Sequence, residues 1–255
     1  MLEPGHQVKA QARKRVLLLV LSVALLASCV GLLALVASSS SSSSNSSPSS
    51  TSTANGTRFK ASVVLYGESL CPDCRHMVLD VIKPILDSGL GAAMDLRYVA
   101  YGNVRTENDE GITCQHGNQE CLMNKYINCA QVDGVGSSDV AVWFPYVTCL
   151  ADNLSLLNSK SYVDRASECA TKAGMSASKL TECAEGPKGE ALERQAGKET
   201  NGLVPKHTFV PWMDVNGAAL GSDYDNLDRY VCVGVAADLR PDACATLRDK
   251  LMHQG

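Results

Sequence analysis

The chain has 255 residues, of which 45% are hydrophobic, a net charge of −4 at neutral pH and eleven cysteines. This length allows one or two globular domains, and the lack of a basic excess argues against nucleic acid as a partner. So many cysteines are unusual in a cytosolic protein and ordinary in a secreted or lumenal one. Cys29 lies inside a hydrophobic run, and the remaining cysteines are enough for one active pair and four structural disulfides.

The N-terminal part predicts a membrane segment. Residues 16–36 contain no charge and consist mainly of Leu, Val and Ala. At about 1.5 Å per residue this run spans a hydrocarbon core of roughly 30 Å, and it is longer than the usual signal-peptide core of about 7–15 residues. The basic leader, residues 1–15, is expected to stay cytoplasmic. We therefore predict a single-pass type II signal-anchor, with cleavage to a secreted product as the alternative.

The next segment, residues 37–57, is dominated by Ser, Thr and Asn. Such a composition cannot bury a core, so we predict a flexible stalk. Asn45 and Asn55 begin N-glycosylation triplets in this stalk, and Asn153 begins a third triplet further along the chain. The folded domain is expected to occupy residues 58–255.

A short apolar run and an amphipathic pattern flank the pair Cys71 and Cys74. Residues 61–67 read as a buried strand, and apolar residues recur at helical spacing from 77 to 86, with Pro84 expected to kink the helix without ending it. Cys71 then lies at a helix N-terminus, where backbone N–H groups and the helix dipole stabilise a thiolate. The pair is therefore predicted to be a dithiol–disulfide exchange centre.

The remaining elements predict an α/β, thioredoxin-like fold. Residues 94–101 read as a second strand, which completes a βαβ unit with a parallel strand pair, and a C-x-x-C pair in this setting is typical of thioredoxin-like proteins. Residues from about 104 to 204 are expected to form a disulfide-stapled helical insertion. Strand character returns over 207–217 and ends in an Asn-Gly turn signal, and two helices follow, at about 223–235 and around Cys244.

The spacing of the pair also predicts a mechanism. Cys71, nearer the exposed end of the helix, would attack a substrate disulfide as a thiolate, and the more buried Cys74 would then displace the substrate thiol. Asp73 would oppose thiolate formation if its carboxylate faces the sulfur. Pro211, if its bond to Val210 is cis, would place that peptide beside the cysteines for pairing with substrate; otherwise it is an ordinary strand-start proline.

A second cluster, from Cys114 to Cys129, has the form C-Q-H-G-x2-E-C-x2-N-x4-C. With this signature the chain resembles the gamma-interferon-inducible lysosomal thiol reductases. The resemblance extends over most of 58–244, including the Cys71 pair, the segment 145–150 and the Val-Pro-Trp run at 210–212. It implies a thioredoxin-like reductase that opens protein disulfides in an acidic endosomal or lysosomal lumen, with catalysis by Cys71 and Cys74.

The resemblance also implies partners: disulfide-bonded protein substrates and a small-thiol reductant, with no cofactor and no metal. Gln115, His116 and Glu120 are interpreted as a hydrogen-bonded cap. The family usually begins with a conventional cleaved signal, so we prefer a reductase tethered to the membrane through residues 16–36, with a soluble lysosomal form as the alternative. The other cysteines are predicted to be structural: Cys114, Cys121, Cys129, Cys149, Cys169, Cys183, Cys232 and Cys244.

Three other functions stay open at this point. A disulfide oxidase or isomerase of the secretory pathway would differ only in reduction potential, which the sequence does not reveal. A non-enzymatic, disulfide-stapled, glycosylated binding module would keep the Cys71–Cys74 disulfide permanently closed. A zinc protein would need a second pair of ligands at matching spacing, and the sequence contains no other C-x-x-C.

Overall fold

The computed structural model describes residues 60–108, 111–153 and 162–246, all within the compact unit Gly56–Gly255. The predicted leader, membrane span and stalk, with Asn45 and Asn55, lie outside the described residues, as does the side chain of Asn153. Within the described part of the chain, no helix is both long and apolar enough to cross a membrane.

The described strands form two sheets. They are β1 (Ala61–Gly67), β2 (Met94–Ala100), β3 (Thr106–Asn108), β4 (Gly111–Thr113), β5 (Trp212–Val215) and β6 (Ala218–Ala219). The main sheet has the order β2-β1-β5-β6, and the short strands β3 and β4 pair with each other. Strands β1 and β2 are parallel, whereas β5 runs antiparallel to β1. The parallel pair confirms the predicted βαβ unit.

The helix between β1 and β2 consists of three consecutive segments: α1 (Pro72–His76), a π-helical segment (Met77–Ile82) and α2 (Lys83–Asp87). At the last junction the Lys83 N–H donates to the Val78 carbonyl, five residues back, and Pro84 follows in the first turn of α2. Since proline disturbs the hydrogen bonds of the preceding helical turn, a local π-turn is one way to accommodate it. The helix thus continues past Pro84, as predicted.

Five helices lie in the described part of the insertion, in agreement with its predicted helical character. They are α3 (Asn118–Ala130), α4 (Val140–Asn153), α5 (Tyr162–Lys172), α6 (Ala177–Glu185) and α7 (Pro187–Asn201). The β3–β4 hairpin at its start was not predicted, because its sequence is polar and lacks an apolar alternation. The main hydrophobic core lies between the sheet and the covering helices, with Leu65, Met77, Trp143, Tyr146 and Met213 fully buried.

Two predictions near the C-terminus need correction. The strand expected over 207–217 begins only at Trp212, because Pro211 has no N–H to donate to the ladder with β1. The helix expected over 223–235 is a 3-10 turn, Gly221–Asn226, followed by α8 (Leu227–Gly234). Asp223 has non-helical φ and ψ there, and its carboxylate accepts hydrogen bonds from Asn226 and Tyr230, which compete with a regular helix.

Candidate active site

The two unpaired cysteines of the described chain lie at the junction of β1 and α1. Cys71 is the N-cap of α1, and its sulfur accepts a hydrogen bond from the Cys74 backbone N–H at 3.3 Å. Pro72 occupies the start of the helix, where its missing N–H costs nothing. The Cys74 sulfur accepts a hydrogen bond from the Glu68 backbone N–H at 3.5 Å. Both sulfurs therefore face backbone donors, which stabilise negative charge on sulfur.

The surroundings shift the pKa values of the two thiols in opposite directions. The Cys74 thiol, by hydrogen bonding to the Cys71 sulfur, makes the largest contribution to lowering the pKa of Cys71 to about 7. The backbone N–H groups of Cys74 and Asp73 act in the same direction, whereas burial and, least of all, the Asp73 carboxylate oppose them. Burial raises the pKa of Cys74 well above its ordinary value. Cys71 is thus the thiol that ionises first, about half of it as thiolate near pH 7, while Cys74 stays protonated.

The structure brings Cys71, Cys74 and Val210 into one buried cluster. The Cys71 sulfur lies 4.0 Å from the Val210 carbonyl oxygen, and the bond from Val210 to Pro211 is cis. Cys71 is 7% exposed and Cys74 1% exposed. Both cysteines are buried, and Cys71 is the more accessible of the two, as expected for the residue nearer the end of the helix.

Glu68, which the sequence reasoning did not single out, is a buried acid beside this pair. It is 1% exposed, and its Oε2 accepts a hydrogen bond from the Asn103 backbone N–H at 2.9 Å. Gly102 makes room for it, since a Cβ on Gly102 would collide with the Glu68 carboxylate. A signal for Glu68 was present in the sequence: it is an acidic residue between a buried strand and Cys71.

His116 and Glu120 of the signature complete an acidic cluster with Glu68. His116 Nδ1 lies 2.5 Å from Glu120 Oε2 and 3.5 Å from Glu68 Oε1. Burial, and then the charge of Glu120, raise the pKa of Glu68 to about 7. Burial alone lowers the pKa of His116, but the hydrogen bond and the charge of Glu120 outweigh it and raise this pKa. Because the three sets of ligand atoms lie within 4.8 Å of one another, this cluster is also where a cation could be held.

The signature also holds the loop that leads into Cys71. The Ser69 N–H donates to Asn124 Oδ1 at 2.8 Å, and the Ser69 hydroxyl donates to the Glu120 carbonyl at 3.2 Å. Asn103 Nδ2 donates to Gln115 Oε1 at 3.0 Å. The predicted hydrogen-bonded cap is therefore confirmed, and it covers residues next to the cysteine pair.

The eight cysteines predicted to be structural are joined in four disulfides. These are Cys114–Cys121, Cys129–Cys183, Cys149–Cys169 and Cys232–Cys244. The second joins α3 to α6 and the third joins α4 to α5, so both staple helices of the insertion. The first lies within the signature and joins the segment before α3 to the start of α3. The last joins α8 to the helical turn at 242–246.

Comparison with known proteins shows which family the chain resembles. The family model described as gamma interferon inducible lysosomal thiol reductase (GILT) matches residues 62–173. The gamma-interferon-responsive lysosomal thiol protein of Arabidopsis thaliana is 27% identical over 176 residues, which cover 69% of this chain and 70% of that protein. The gamma-interferon-inducible lysosomal thiol reductase of Mus musculus is 29% identical over 192 residues, 73% of each chain.

Among solved structures, oxidised BdbD from Bacillus subtilis matches 68% of this chain and 86% of its own with a TM-score of 0.50 at 15% identity, a likeness of fold alone. The fold and the cysteine pair define the class of protein, a thioredoxin-like thiol-disulfide oxidoreductase. Within this class, the chain is similar to the gamma-interferon-inducible lysosomal thiol reductase family. The resemblance that the signature indicated is confirmed.

Proposed function

We propose that this protein reduces disulfide bonds of protein substrates in an acidic endosomal or lysosomal lumen. The Cys71 thiolate attacks a substrate disulfide and forms a mixed disulfide. Cys74 then displaces the second substrate sulfur, which leaves a Cys71–Cys74 disulfide and a reduced substrate. A small external thiol reduces the enzyme again, so no cofactor is needed.

The observation that carries this proposal is the division of roles between the two thiols. Hydrogen bonds from Cys74 lower the pKa of Cys71 to about 7, whereas burial raises the pKa of Cys74. A nucleophile must be a thiolate to attack, and a resolving thiol that stays protonated does not compete for the substrate. The arrangement suits a two-step exchange with Cys71 first. The Val210 carbonyl, 4.0 Å from the Cys71 sulfur, supports a place for Val210 and Pro211 in substrate binding.

The pKa of Cys71 also supports the proposed direction of the exchange, which is reduction of the substrate. A strong disulfide oxidant stabilises its reduced, thiolate form, as in DsbA with a pKa of about 3.5, whereas the reductant thioredoxin has a value of about 7. The value for Cys71 is also about 7, which favours reduction over oxidation. The relatives named thiol reductases point the same way.

Residues 16–36 and the stalk 37–57 support a tether that holds the domain on the lumenal side, with glycans on Asn45, Asn55 and Asn153. Digestion of intact vesicles with a protease, followed by glycosidase treatment, tests this topology. Protection of the folded domain and a mobility shift on deglycosylation are expected. Digestion of the domain without detergent would contradict a lumenal location.

Turnover of a disulfide-bonded protein with a small-thiol reductant tests the reaction at pH 5 and 7. We expect Cys71→Ser to abolish turnover and Cys74→Ser to accumulate a mixed disulfide through Cys71, seen by non-reducing electrophoresis and mass spectrometry. Full activity of Cys71→Ser would overturn the mechanism. Net oxidation of reduced protein, or no exchange at all, would favour the oxidase or the binding module.

A further inference from the structure

The disulfide between Cys114 and Cys121 encloses the cap. The two cysteines are seven positions apart, and the cap residues Gln115, His116 and Glu120 lie between them. This is the shortest loop among the four disulfides, so its closure contributes the least loop entropy to stability. Opening this disulfide would release the cap from its covalent tie to α3, while the other disulfides would still hold the fold.

The Cys121 sulfur can be reached from outside through a surface cavity of about 430 Å³. Cys121 lines this cavity and is 9% exposed, slightly more than the nucleophile Cys71. Its partner Cys114 is only 2% exposed. Thiol–disulfide exchange requires a thiolate to reach one of the two sulfurs. A thiolate in the cavity would therefore attack Cys121 and displace Cys114.

The walls of the cavity carry charges of both signs. Lys125 lies one helical turn after Cys121 on α3, and Glu190 and Arg194 lie one turn apart on α7. A carboxylate oxygen of Glu193 lies within 4.8 Å of both sulfurs, so it repels an anion there unless nearby cations offset its charge. The basic side chains suit a carboxylate, and Glu190 suits an ammonium group. A small thiol that is also an amino acid combines these features.

We propose that the cavity binds a small amino-acid thiol, such as L-cysteine, and that this thiol modifies Cys121. The ligand thiolate forms a bond to the Cys121 sulfur, and the Cys114–Cys121 bond breaks. The Cys114 sulfur leaves as a thiolate and takes a proton from solvent. One disulfide is exchanged for another, so the step needs no other oxidant or reductant. The reverse attack by Cys114 expels the ligand and closes the disulfide again.

The modification regulates the cysteine pair by loosening the cap, an effect that rests on the proposed function. Gln115 bonds to Asn103, and His116 faces Glu68, so both contacts lose their support when the segment is released from α3. A misplacement of about 1 Å near a reacting group can lower a rate by about 10²-fold. An excess of the small thiol would therefore slow the enzyme that it also reduces.

The modification is measured in the full-length Cys71→Ser/Cys74→Ser variant, in which the catalytic pair cannot mediate the exchange. The protein is treated with L-cysteine, quenched with acid, alkylated with N-ethylmaleimide under denaturing conditions and mapped by peptide mass spectrometry. We expect the first product to carry L-cysteine on Cys121 and the alkyl group on Cys114. L-cysteine on Cys114 instead would contradict attack from the cavity.

The disulfide Cys232–Cys244 is the internal control in the same samples. Its two cysteines are 9% and 8% exposed, which is comparable with Cys121, but they are not among the residues that line the cavity. We expect Cys114–Cys121 to open first. If Cys232–Cys244 opens at the same rate or sooner, exposure alone decides the order and the proposal is overturned.

The charged walls are tested by comparing L-cysteine with cysteamine, which lacks the carboxylate. Lys125→Gln and Arg194→Gln should each slow opening by L-cysteine about two- to fivefold more than opening by cysteamine, the range expected for one exposed ion pair. The matched control is Lys188→Gln, an exposed lysine in the first turn of α7 that does not line the cavity. It should change neither rate. An unchanged ratio in both cavity variants would overturn the recognition of an amino acid.

Turnover separates the regulation from the proposed function. Wild type that is opened with L-cysteine and freed of the excess should turn over roughly tenfold more slowly, and cystine should restore turnover by closing the disulfide. Unchanged turnover, or a loss that closure does not reverse, would overturn the regulatory effect. None of these outcomes affects the proposed reductase function, which fails only if untreated wild type shows no turnover or if Cys71→Ser stays active.

Discussion

The junction that carries Cys71 and Cys74 and the helical insertion use the same residue type in opposite ways. At the junction the two sulfurs are one helical turn apart, so a disulfide between them constrains almost nothing beyond that turn. In the insertion the disulfides join residues 54 and 20 positions apart, so that each one fixes the relative position of two helices. The Cys71–Cys74 disulfide can therefore open and close in every reaction cycle while the fold stays unchanged.

The physical basis of the difference is loop entropy. Closing a loop of 54 residues lowers the conformational entropy of the unfolded chain by an amount worth about 4 kcal/mol, whereas closing a pair three residues apart is worth about 2 kcal/mol. The insertion is thereby rigid enough to hold the cap over Glu68 and the loop before Cys71. The redox pair therefore depends on the insertion for its surroundings, although the insertion contributes no sulfur to the exchange.

The largest expected effect tests this comparison directly. Removing the Cys129–Cys183 disulfide with two Cys→Ala changes should lower the free energy of unfolding by about 4 kcal/mol, and removing Cys232–Cys244, 12 positions apart, by about 3 kcal/mol. The Cys71→Ser/Cys74→Ser variant, compared with wild type in which only the Cys71–Cys74 pair is reduced, should lose less than the Cys129–Cys183 variant, about 1–3 kcal/mol for burying two hydroxyl groups. Urea unfolding followed by circular dichroism measures all three. If the free energy of unfolding falls more in the redox-pair variant than in the Cys129–Cys183 variant, the difference between the two regions is contradicted.

A smaller effect is expected at Gly67, where the junction is packed most closely. A Cβ on Gly67 would lie 2.9 Å from the Cys74 sulfur and 3.2 Å from the Tyr98 hydroxyl. Overpacking of this kind costs about 1–3 kcal/mol, so Gly67→Ala should destabilise the fold by this amount. In a Cys74→Ala background the nearest contact is absent, and the same change should cost less. Equal costs in both backgrounds, measured by a double-mutant cycle, would mean that the sulfur does not limit the space.

The smallest effect concerns Asp73. Its carboxylate raises the pKa of Cys71, against the stronger lowering by Cys74. Asp73→Asn should therefore move the pH midpoint of Cys71 alkylation to lower pH. An interaction of about 0.5 kcal/mol, typical of exposed charges, corresponds to roughly a twofold faster alkylation at pH 5. Iodoacetamide kinetics from pH 4 to 9 measure the shift, with Asp80→Asn as the unchanged control; a midpoint moved to higher pH would contradict the sign.

The sequence pattern predicted correctly those elements that depend on residues close to one another in the chain. The apolar run 61–67, the stripe after Cys74 and the Asn216–Gly217 turn all lie where expected, with positive φ at both turn residues. The strand over 207–217 was predicted too long, and the β3–β4 hairpin was missed. In both cases the outcome depends on pairing: Pro211 cannot donate to a neighbouring strand, and β3 and β4 are strands only because they pair with each other.

For the candidate site, the sequence by itself determined the chemistry: two thiols at the start of a helix, and a signature that indicated the family. Only the tertiary structure decided which groups surround those thiols. Glu68 is close to Cys74 along the chain, but His116 and Glu120 reach it from more than forty residues away. Such a cluster cannot be read from sequence, because its electrostatics depend on burial and on distances of a few ångströms. The fold of the insertion sets both the burial of these groups and the distances between them.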